Sequence, residues 1–398
     1  MKNILKNTTF RLFLAVVVGL LLGQVANETV IEIILPIKYV LGQIIFFLVP
    51  LIIFGFITPA ITRLKKNASK LLGIALGIVY LSSVGVAIFA ALVGYNLIPF
   101  LHIIPVTEGI KILPALIFKL DIPPILSVMS ALALALMLGL SISWTKADKL
   151  EGFLDQFRDV VLSMVNHFLL PVLPFFIAAN FAVFSYEGHI VSQLPIFLIV
   201  VLVAFVCNVL WLTLLYVSAG LYAKKNPWRV LKYYGPTILT AMGTQSSAAS
   251  LGSAIKASKK SDVLRDDVRD FAIPLLGNIH FPGSVLDVTF LVIVVSQILY
   301  GHVPGLGSMA IFIALLGIFA IGAPGLPGGT VIASLGLMYS VLGFDESGTA
   351  LLLTVFALHD SFGTANNITS DGALVLFLSA YEDKHESRRD IACNTPTS

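Results

Sequence analysis

The sequence predicts an all-α polytopic membrane protein with eight transmembrane helices and two opposed re-entrant helical hairpins. The composition, the series of apolar segments and the placement of basic residues predict this class. Of 398 residues, 57% are hydrophobic and only 12% are charged, and the mean hydropathy is +0.95. A soluble globular chain carries about 25% charged residues, so the composition excludes a soluble domain, a disordered chain and a nucleic-acid binder.

About eight apolar segments are long enough for a membrane, which a helix crosses with about 20 residues. They cover 10–24, 36–62, 71–100, 112–145, 157–184, 191–223, 271–300 and 346–380. The first segment follows a basic start, as in a signal peptide, but no convincing cleavage pattern follows it. We therefore interpret it as a first transmembrane helix. Two further apolar stretches, 230–256 and 306–344, are interrupted by Gly, Ser and Pro.

Basic residues predict the topology, because Lys and Arg collect in cytoplasmic loops. With the N-terminus inside, the predicted cytoplasmic clusters lie at 2–11, 63–70, 146–158, 224–232, 256–269 and 384–389, and only Lys38, Lys111 and Lys119 fall elsewhere. Basic clusters flank 230–256 on both sides, so this stretch enters and leaves on the cytoplasmic face as a hairpin. The same reasoning makes 306–344 a second hairpin, entered from outside. Both chain termini are predicted to be cytoplasmic.

The predicted hairpin tips are rich in small residues, in 243–250 and in 322–330. Two opposed hairpins, each followed by a span, indicate an inverted repeat, and such repeats place a binding site at the membrane midplane. Glycines and small hydroxyls let backbone amides and helix N-termini approach an anionic group closely. The alternative is that small residues only permit tight helix packing. A pair of such tips at symmetric places favours the binding interpretation.

A polar stripe interrupts the last span. Its members recur at spacings of four, three and four residues, so they share one helix face: Asp360, Thr364, Asn367 and Asp371. A carboxylate at the membrane centre costs about 2.5–3.5 kcal/mol on the insertion scale, so it must face a cavity or a partner. The stripe suits an amino-acid zwitterion, with one acid for the ammonium, amide and hydroxyl donors for the carboxylate, and a second acid for a cation. A structural network between helices is the alternative.

The preceding span also contains polar residues. His280 and Asp287 are seven residues apart, which on a continuous helix places them on one face. Histidine changes charge near neutral pH, so the two residues are a candidate couple for carrying a proton. A neutral histidine satisfied by a neighbouring hydroxyl or carbonyl is an equally strong interpretation.

Three motifs resemble the glutamate-transporter family, the dicarboxylate/amino acid:cation symporters, closest in pattern to its neutral and serine/threonine branch. They are Thr244-Gln245-Ser246-Ser247-Ala248-Ala249, Gly322-Ala323-Pro324-Gly325, and Asp360-x-x-Gly363-Thr364-x-x-Asn367-Ile368-x-Ser370-Asp371. The resemblance implies a homotrimer in which a transport domain moves like an elevator past a scaffold. It assigns 1–70 and 100–223 to the scaffold, 71–100 and 224–382 to the transport domain, and 383–398 to a cytoplasmic tail.

The resemblance also implies site residues. The substrate-binding positions are Ser246, Ser247, Gly322, Ala323, Pro324, Gly325, Asp360, Gly363, Thr364 and Asn367. The positions for a coupling ion or proton are Gly277, Asn367 and Asp371, with Asp371 and Asn367 as the candidate Na⁺ ligands. To these the polar residues of the preceding span add the candidate proton couple, His280 and Asp287. Retention of the acid at position 360 favours an α-amino acid as cargo, since it binds the substrate ammonium in the family.

The chain departs from the family pattern at places that affect selectivity and coupling. Acidic-substrate members have Arg where this chain has Gly363, and the hairpin position that can hold an Arg instead is Gln245. Without a guanidinium, a side-chain carboxylate on the substrate has no bidentate partner, which favours a neutral side chain. The family's N-M-D-G-T reads His280-Phe281-Pro282-Gly283-Ser284 here. At least one sodium site is therefore expected to be absent.

The sequence thus predicts a secondary-active importer of small neutral L-amino acids, such as serine, threonine or alanine, in a plasma (inner) membrane. Coupling uses fewer sodium ions than usual, or protons, and no other cofactor is expected. The alternatives are a cystine or dicarboxylate symporter and a channel-like or transport-incompetent member. An enzyme is not expected, since the sequence contains no G-x-x-x-x-G-K, H-E-x-x-H or G-x-S-x-G motif.

Overall fold

The computed structural model describes residues 8–66, 70–100, 113–188 and 194–394, which form α-helices joined by loops and contain no β-strand. The predicted all-α class is confirmed. In chain order these residues form α1 (Thr8–Val25), α2 (Glu28–Lys66), α3 (Lys70–Leu97), α4 (Val128–Thr145), α5 (Asp148–Met164), α6 (Leu170–Glu187), α7 (Leu194–Ala223), α8 (Trp228–Leu231), α9 (Gly235–Thr244), α10 (Ser247–Ser258), α11 (Asp266–Leu276), α12 (Pro282–Tyr300), α13 (Leu306–Gly322), α14 (Gly329–Leu342) and α15 (Glu346–Asn394).

Many of these helices have the length and composition of membrane spans, as expected for a polytopic protein. Five stretches within the described residues are long and apolar enough to cross a membrane: Glu28–Thr62, Leu71–Phe100, Asp148–Glu187, Ile196–Ala223 and Pro282–Tyr300. The third of these runs continuously from α5 to α6 through a π-helical turn. This turn, Val165–Leu169, immediately precedes α6, which has a proline in its first two residues. Proline has no N–H to donate, so the regular hydrogen-bond pattern changes there.

Two predicted boundaries were wrong. The segment 112–145 becomes helical only at Val128, because Pro114, Pro123 and Pro124 lack N–H donors and restrict the residues before them. The last helix does not end near 380 but continues through most of the expected tail, to residue 394. That extension is rich in Glu, Lys and Arg, which are good helix formers.

Both predicted hairpins are present as helix–turn–helix units. In the first, α9 and α10 meet at Gln245, which has a positive φ of 50°, and Ser246, which caps α10. In the second, α13 and α14 are joined by the loop 323–328, which ends at Gly328 with a φ of 70°. Their re-entrant placement in a membrane stays a prediction.

The predicted seventh span is broken. After α11 ends at Leu276, the chain makes a turn in which the His280 amide bonds the Leu276 carbonyl at 2.8 Å, and α12 begins at Pro282. Proline has no N–H to donate and is favoured at the first position of a helix, so the chain restarts there. The break leaves backbone and side-chain groups between α11 and α12 without helical partners.

The helices pack around two buried apolar clusters. α1 packs on α6, α2 on α4, and α12 lies between α3 and α15. α7 packs along α15. The family resemblance, in contrast, assigns α7 to the scaffold and α15 to the transport domain. The division into scaffold and transport domain stays a prediction. So does the topology, for which Lys2, Lys6 and Lys111 lie outside the described residues.

Candidate functional site

The tips of the two hairpins touch directly. The Gly325 carbonyl accepts a hydrogen bond from Ser246 Oγ at 2.7 Å and one from the Ala248 amide at 3.2 Å. The same Ser246 Oγ accepts from the Ala249 amide at 3.2 Å and so caps α10. One serine therefore fixes the start of a helix and also links it to the opposite hairpin.

Asp360 of α15 lies beside this junction. Its Oδ2 accepts from the Gly328 amide at 2.9 Å, and its Oδ1 accepts from Thr364 Oγ1 at 3.2 Å. The residue is only 4% exposed. Gly328 immediately precedes α14, so the carboxylate also lies at the positive end of a helix dipole. The acid is thus held in place by the second hairpin and by its own helix.

A small polar pocket separates the hairpin tips from α12 and α15. With the hairpins in contact its cavity volume is about 10 Å³, roughly the space that one water molecule needs. Its lining contains one charged side chain, Asp360, and neither Arg nor Lys. The residues that line it are Gln245, Ser247, Phe281, Ser284, Pro324, Gly325, Leu326, Gly329, Thr330, Asp360, Thr364 and Asn367.

A pair of hydrogen bonds joins the pocket's two helical walls. Asn367 Oδ1 accepts from the Ser284 amide at 3.1 Å, and its Nδ2 donates to Ser284 Oγ at 2.8 Å. The Ser284 amide belongs to the first turn of α12, where amides have no helical partner. The side-chain oxygen of Asn367 thus has one partner within the protein and keeps a second lone pair.

A larger cavity lies on the other side of the second hairpin's tip. Its cavity volume is about 560 Å³, and it lies open between α2, α5, α11 and that tip. Pro324, Gly325 and Leu326 line both spaces. The cavity also reaches Arg158 and Asp159 of α5, which belong to a cluster that is predicted, but not shown, to be cytoplasmic. The tip thus forms a thin wall between the small pocket and the larger cavity.

His280, in the break before α12, bridges α3 and α15. Its Nδ1 lies 2.9 Å from Asp371 Oδ1, and its Nε2 lies 3.0 Å from Ser82 Oγ. The side chains of His280 and Asp371 are both fully buried. Asp371 Oδ2 has no hydrogen-bond partner in the part of the chain that is described. The imidazole therefore stands beside a buried carboxylate where the sequence predicted a cation.

A second acid–imidazole pair lies between α7, α12 and α15. Asp287 Oδ2 is 2.9 Å from His359 Nδ1, and Asp287 Oδ1 accepts from Asn208 Nδ2 at 2.8 Å. Asn366 Nδ2 in turn donates to Asn208 Oδ1 at 2.7 Å. A Cβ on Gly363 would lie 2.3 Å from Asp287 Oδ2, so glycine is what lets the acid approach α15.

His280 and Asp287, which the sequence predicts as a candidate couple for carrying a proton, are therefore not paired in the structure. The seven-residue spacing implies a common face only on a continuous helix, and the chain is broken between 277 and 281. Each of the two residues pairs instead with a residue of α15. The expected Na⁺ ligands also have other partners: Asp371 contacts His280, and Asn367 contacts Ser284. Within the described residues no group of three or more His, Cys, Asp or Glu side chains could hold a metal ion.

The other predicted positions are distributed around the pocket. Those that line it directly are Ser247, Pro324, Gly325, Asp360, Thr364 and Asn367. Ser246 lies behind it as the link between the tips, and Gly322 and Ala323 line the larger cavity. Gly363 packs against Asp287 and Gly283, and the carbonyl of Gly277 is near Gly325.

Sequence analysis missed His359, Asn366 and Asn208. The first two lie on α15 on a second face, which the spacing of His359, Gly363 and Asn366 by four and three residues would have indicated. Asn208 is a lone amide in an apolar segment and carries no local signal. Its role depends on contacts between residues distant in the sequence.

Comparison with known proteins gives a family match over nearly the whole described chain. The model of the sodium:dicarboxylate symporter family matches residues 8–381. Excitatory amino acid transporter 1 of Ambystoma tigrinum is 24% identical over 246 residues, which are 61% of this chain and 44% of that protein. Neutral amino acid transporter B(0) of Bos taurus is 23% identical over 250 residues, 62% of this chain and 46% of that protein. The chain thus spans about half the length of the curated relatives it matches.

Proposed function

Because the chain belongs to the sodium:dicarboxylate symporter family, we propose that it is a secondary-active symporter that imports small neutral L-amino acids. The observation that carries this proposal is Asp360, a buried acid in a pocket without Arg or Lys, held between two hairpins. A lone buried carboxylate is costly without a counter-charge. A substrate ammonium supplies that charge.

The substrate carboxylate binds to hydroxyl and backbone donors of the same pocket. Ser247 and Thr364 contribute hydroxyls there, and the tips contribute backbone amides. Ser247 is the first residue of α10, whose N-terminal amides and dipole favour an anion. An α-amino acid thus finds an acid for one end and helix-terminal donors for the other.

The pocket favours a neutral side chain. A second carboxylate on the substrate would find no cation among the residues that line it, and an unpaired buried charge is strongly unfavourable. A substrate carboxylate placed near Gly363 would also approach the carboxylate of Asp287, which repels it. The relative named as a neutral amino acid transporter is consistent with this selectivity.

The His280–Asp371 pair is the coupling site, and it binds a proton. A buried carboxylate beside an imidazole at 2.9 Å is electrically neutral with one proton shared between them. The proton takes the place of a cation that the Asp371 carboxylate would otherwise need. Sodium coupling, as in the family's description, is the second candidate, because Asp371 Oδ2 remains available to a cation.

The transport cycle is an elevator movement in a homotrimer of the plasma (inner) membrane, with both termini in the cytoplasm. The second hairpin is the gate, because Pro324, Gly325 and Leu326 of its tip line both the small pocket and the larger cavity. Opening breaks the bonds from Ser246 and Ala248 to Gly325, and the bond from Gly328 to Asp360. The substrate then passes into the larger cavity.

Uptake into proteoliposomes tests this function. Labelled L-serine, L-alanine and L-aspartate are offered under a pH gradient, under a sodium gradient, or without either. We expect saturable uptake of serine and alanine driven by the pH gradient, with little uptake of aspartate. His280→Asn weakens the drive from the pH gradient, whereas His302→Gln, at an exposed loop, does not.

Three results would contradict parts of the proposal. Aspartate uptake equal to that of serine would favour the dicarboxylate alternative. Flux that does not saturate and ignores both gradients would identify a channel. Uptake that follows sodium alone would assign coupling to a cation at Asp371.

A further inference from the structure

Four buried polar atoms without hydrogen-bond partners in the described part of the chain lie together between α7, α12 and α15. They are Asp287 Oδ2, Asn366 Oδ1 and both ring nitrogens of His359. Buried polar atoms are nearly always hydrogen-bonded, so two facing exceptions, Asp287 Oδ2 and His359 Nδ1, indicate a proton that joins them. None of these residues lines the small pocket, so the cluster is distinct from the substrate site.

The geometry fits a shared proton. Asp287 Oδ2 and His359 Nδ1 are 2.9 Å apart, within hydrogen-bond range, and the two side chains are 0% and 1% exposed. The contact nevertheless lacks the alignment of a hydrogen bond, so neither atom is satisfied. A small rotation of the imidazole about its side-chain bonds would let one proton bridge the two atoms.

Charge balance favours one bound proton in the closed protein. With no proton the pair carries a buried negative charge, and with two it carries a buried positive charge. With one proton it is neutral, whichever atom holds it. Because a net charge away from water is costly, the pair keeps one proton until water reaches it.

On α7, α12, α13 and α14, all within the described part of the chain, no Lys or Arg stands beside the pair. The titratable side chains that face the pair are Cys207 on α7 and Asp360 on α15. α3, α13 and α14 also pack on α12. Of these, α13 carries no titratable side chain, α14 carries only Tyr339, and α3 carries Tyr80 and Tyr95 besides Lys70 at its first residue. The negative charge of Asp360 makes it more favourable for the pair to keep its proton.

The pair is connected to the gate through one peptide bond. His359 immediately precedes Asp360, whose carboxylate accepts the Gly328 amide of the second hairpin. When this hairpin opens, that bond breaks and water reaches this stretch of α15. The proton is then exchanged with water on the side to which the site is open.

We propose that Asp287 and His359 form a second proton-binding site, which moves one proton per transport cycle in addition to the one at His280 and Asp371. This inference rests on the proposed transport function. The proton comes from water on one side of the membrane and leaves to water on the other. The N–H or O–H bond that holds it is the only bond formed and broken.

The proton stoichiometry tests the proposal. In proteoliposomes at zero membrane potential and a gradient of one pH unit, the L-serine concentration ratio at which net flux stops rises about tenfold for each coupled proton. We expect a ratio of about 100 for the wild type and about 10 for His359→Gln or Asp287→Asn. This ratio is thermodynamic, so a variant that merely slows transport leaves it unchanged.

The variants separate this inference from the proposed coupling site. His280→Asn also lowers the ratio about tenfold, and combining it with His359→Gln abolishes the effect of the pH gradient. His302→Gln, an exposed histidine, keeps the wild-type ratio. A wild-type ratio in both His359→Gln and Asp287→Asn would overturn the second site even if His280→Asn behaves as expected. If neither variant can be reconstituted, the wild type decides alone: a ratio near 100 supports the second site, and one near 10 or below overturns it.

Discussion

Gly363 and Asp287 determine together how closely α12 approaches α15. A Cβ at 363 would lie 2.3 Å from Asp287 Oδ2, and a Cβ at Gly283 would lie 2.3 Å from the Gly363 carbonyl. The carboxylate therefore occupies the space into which a side chain at 363 would extend. We therefore propose that selectivity for the substrate side chain depends on this pair of positions, not on 363 alone.

Replacing Gly363 tests this dependence. Gly363→Arg is expected to lower the free energy of unfolding by about 1–3 kcal/mol, because the core is overpacked. It should not confer aspartate binding, since the guanidinium pairs with Asp287. Gly363→Arg combined with Asp287→Ala has space for the arginine and should bind aspartate. Thermal unfolding and isothermal titration of the purified variants measure the two effects.

Gly307→Ala is the matched control, because a Cβ there has no atom within 4 Å. Its unfolding temperature should equal that of the wild type. Aspartate binding by Gly363→Arg alone, at unchanged stability, would show that Asp287 does not fill this space.

At this scale the sequence predicted the side chains on one face of α15, but not their partners. Asp360 and Thr364 were recognisable because helical periodicity is a local property, and the two side chains are bonded to each other. The partners of His280 and Asp287 depend on the break before α12 and on helices far away in the chain. A spacing rule cannot supply such contacts.

At the scale of elements, the two hairpins depend on each other. Ser246 caps α10 and donates to Gly325, so the start of one helix is coupled to the tip of the opposite hairpin. The second tip is itself tight: a Cβ at Gly329 would lie 1.9 Å from the Pro324 carbonyl. The loop proposed as the gate is therefore tightly packed and held by a few hydrogen bonds.

Ser246→Ala should loosen the gate. It removes the cap and the link between the tips, each worth about 1 kcal/mol, so amides of 325–329 should exchange hydrogen roughly fivefold faster or more. Hydrogen exchange followed by mass spectrometry measures this in detergent. Ser340→Ala, which removes a hydroxyl bonded only within α14, is the control. Unchanged exchange at the second tip in Ser246→Ala would mean that the hairpins do not hold each other.

The hairpins were predictable as elements, because Gly, Ser and Pro interrupt apolar stretches that are flanked by basic clusters. The break in the seventh span was not predicted, although Gly277 and Pro282 bracket it. A proline at a first helical turn and one inside a span look alike in the sequence, and packing decides between them. The late start of α4 was not predicted for the same reason, since Pro114, Pro123 and Pro124 lie within an apolar segment of the sequence.

At the scale of the molecule, α2 and α15 are joined near the start of α15. Lys38 Nζ donates to Ser347 Oγ at 3.2 Å, and Gln43 Nε2 donates to Glu346 Oε1 at 3.2 Å. If α2 belongs to the scaffold and α15 to the moving domain, these bonds must break in every cycle.

A reversible cross-link tests this division. Gln43→Cys and Glu346→Cys are combined in a chain in which Cys207 and Cys393 are replaced by serine, and mercuric ion bridges the two thiols. Uptake of L-serine should stop on bridging and return with dithiothreitol. Each single cysteine variant is a control that mercuric ion should leave active. Undiminished uptake by the bridged protein would mean that α2 and α15 move together.

Binding of an amino acid and of its deaminated analogue tests the central claim, that Asp360 receives a substrate ammonium, most directly. Isothermal titration of the purified protein is expected to detect L-alanine but not propionate. In Asp360→Asn, the affinity for L-alanine should fall about 10- to 100-fold, because a charged hydrogen bond worth about 1.5–3 kcal/mol is lost. Asp262→Asn, at an exposed acid, should bind as the wild type does. Equal binding of propionate and L-alanine by the wild type, or undiminished L-alanine binding by Asp360→Asn, would contradict the claim.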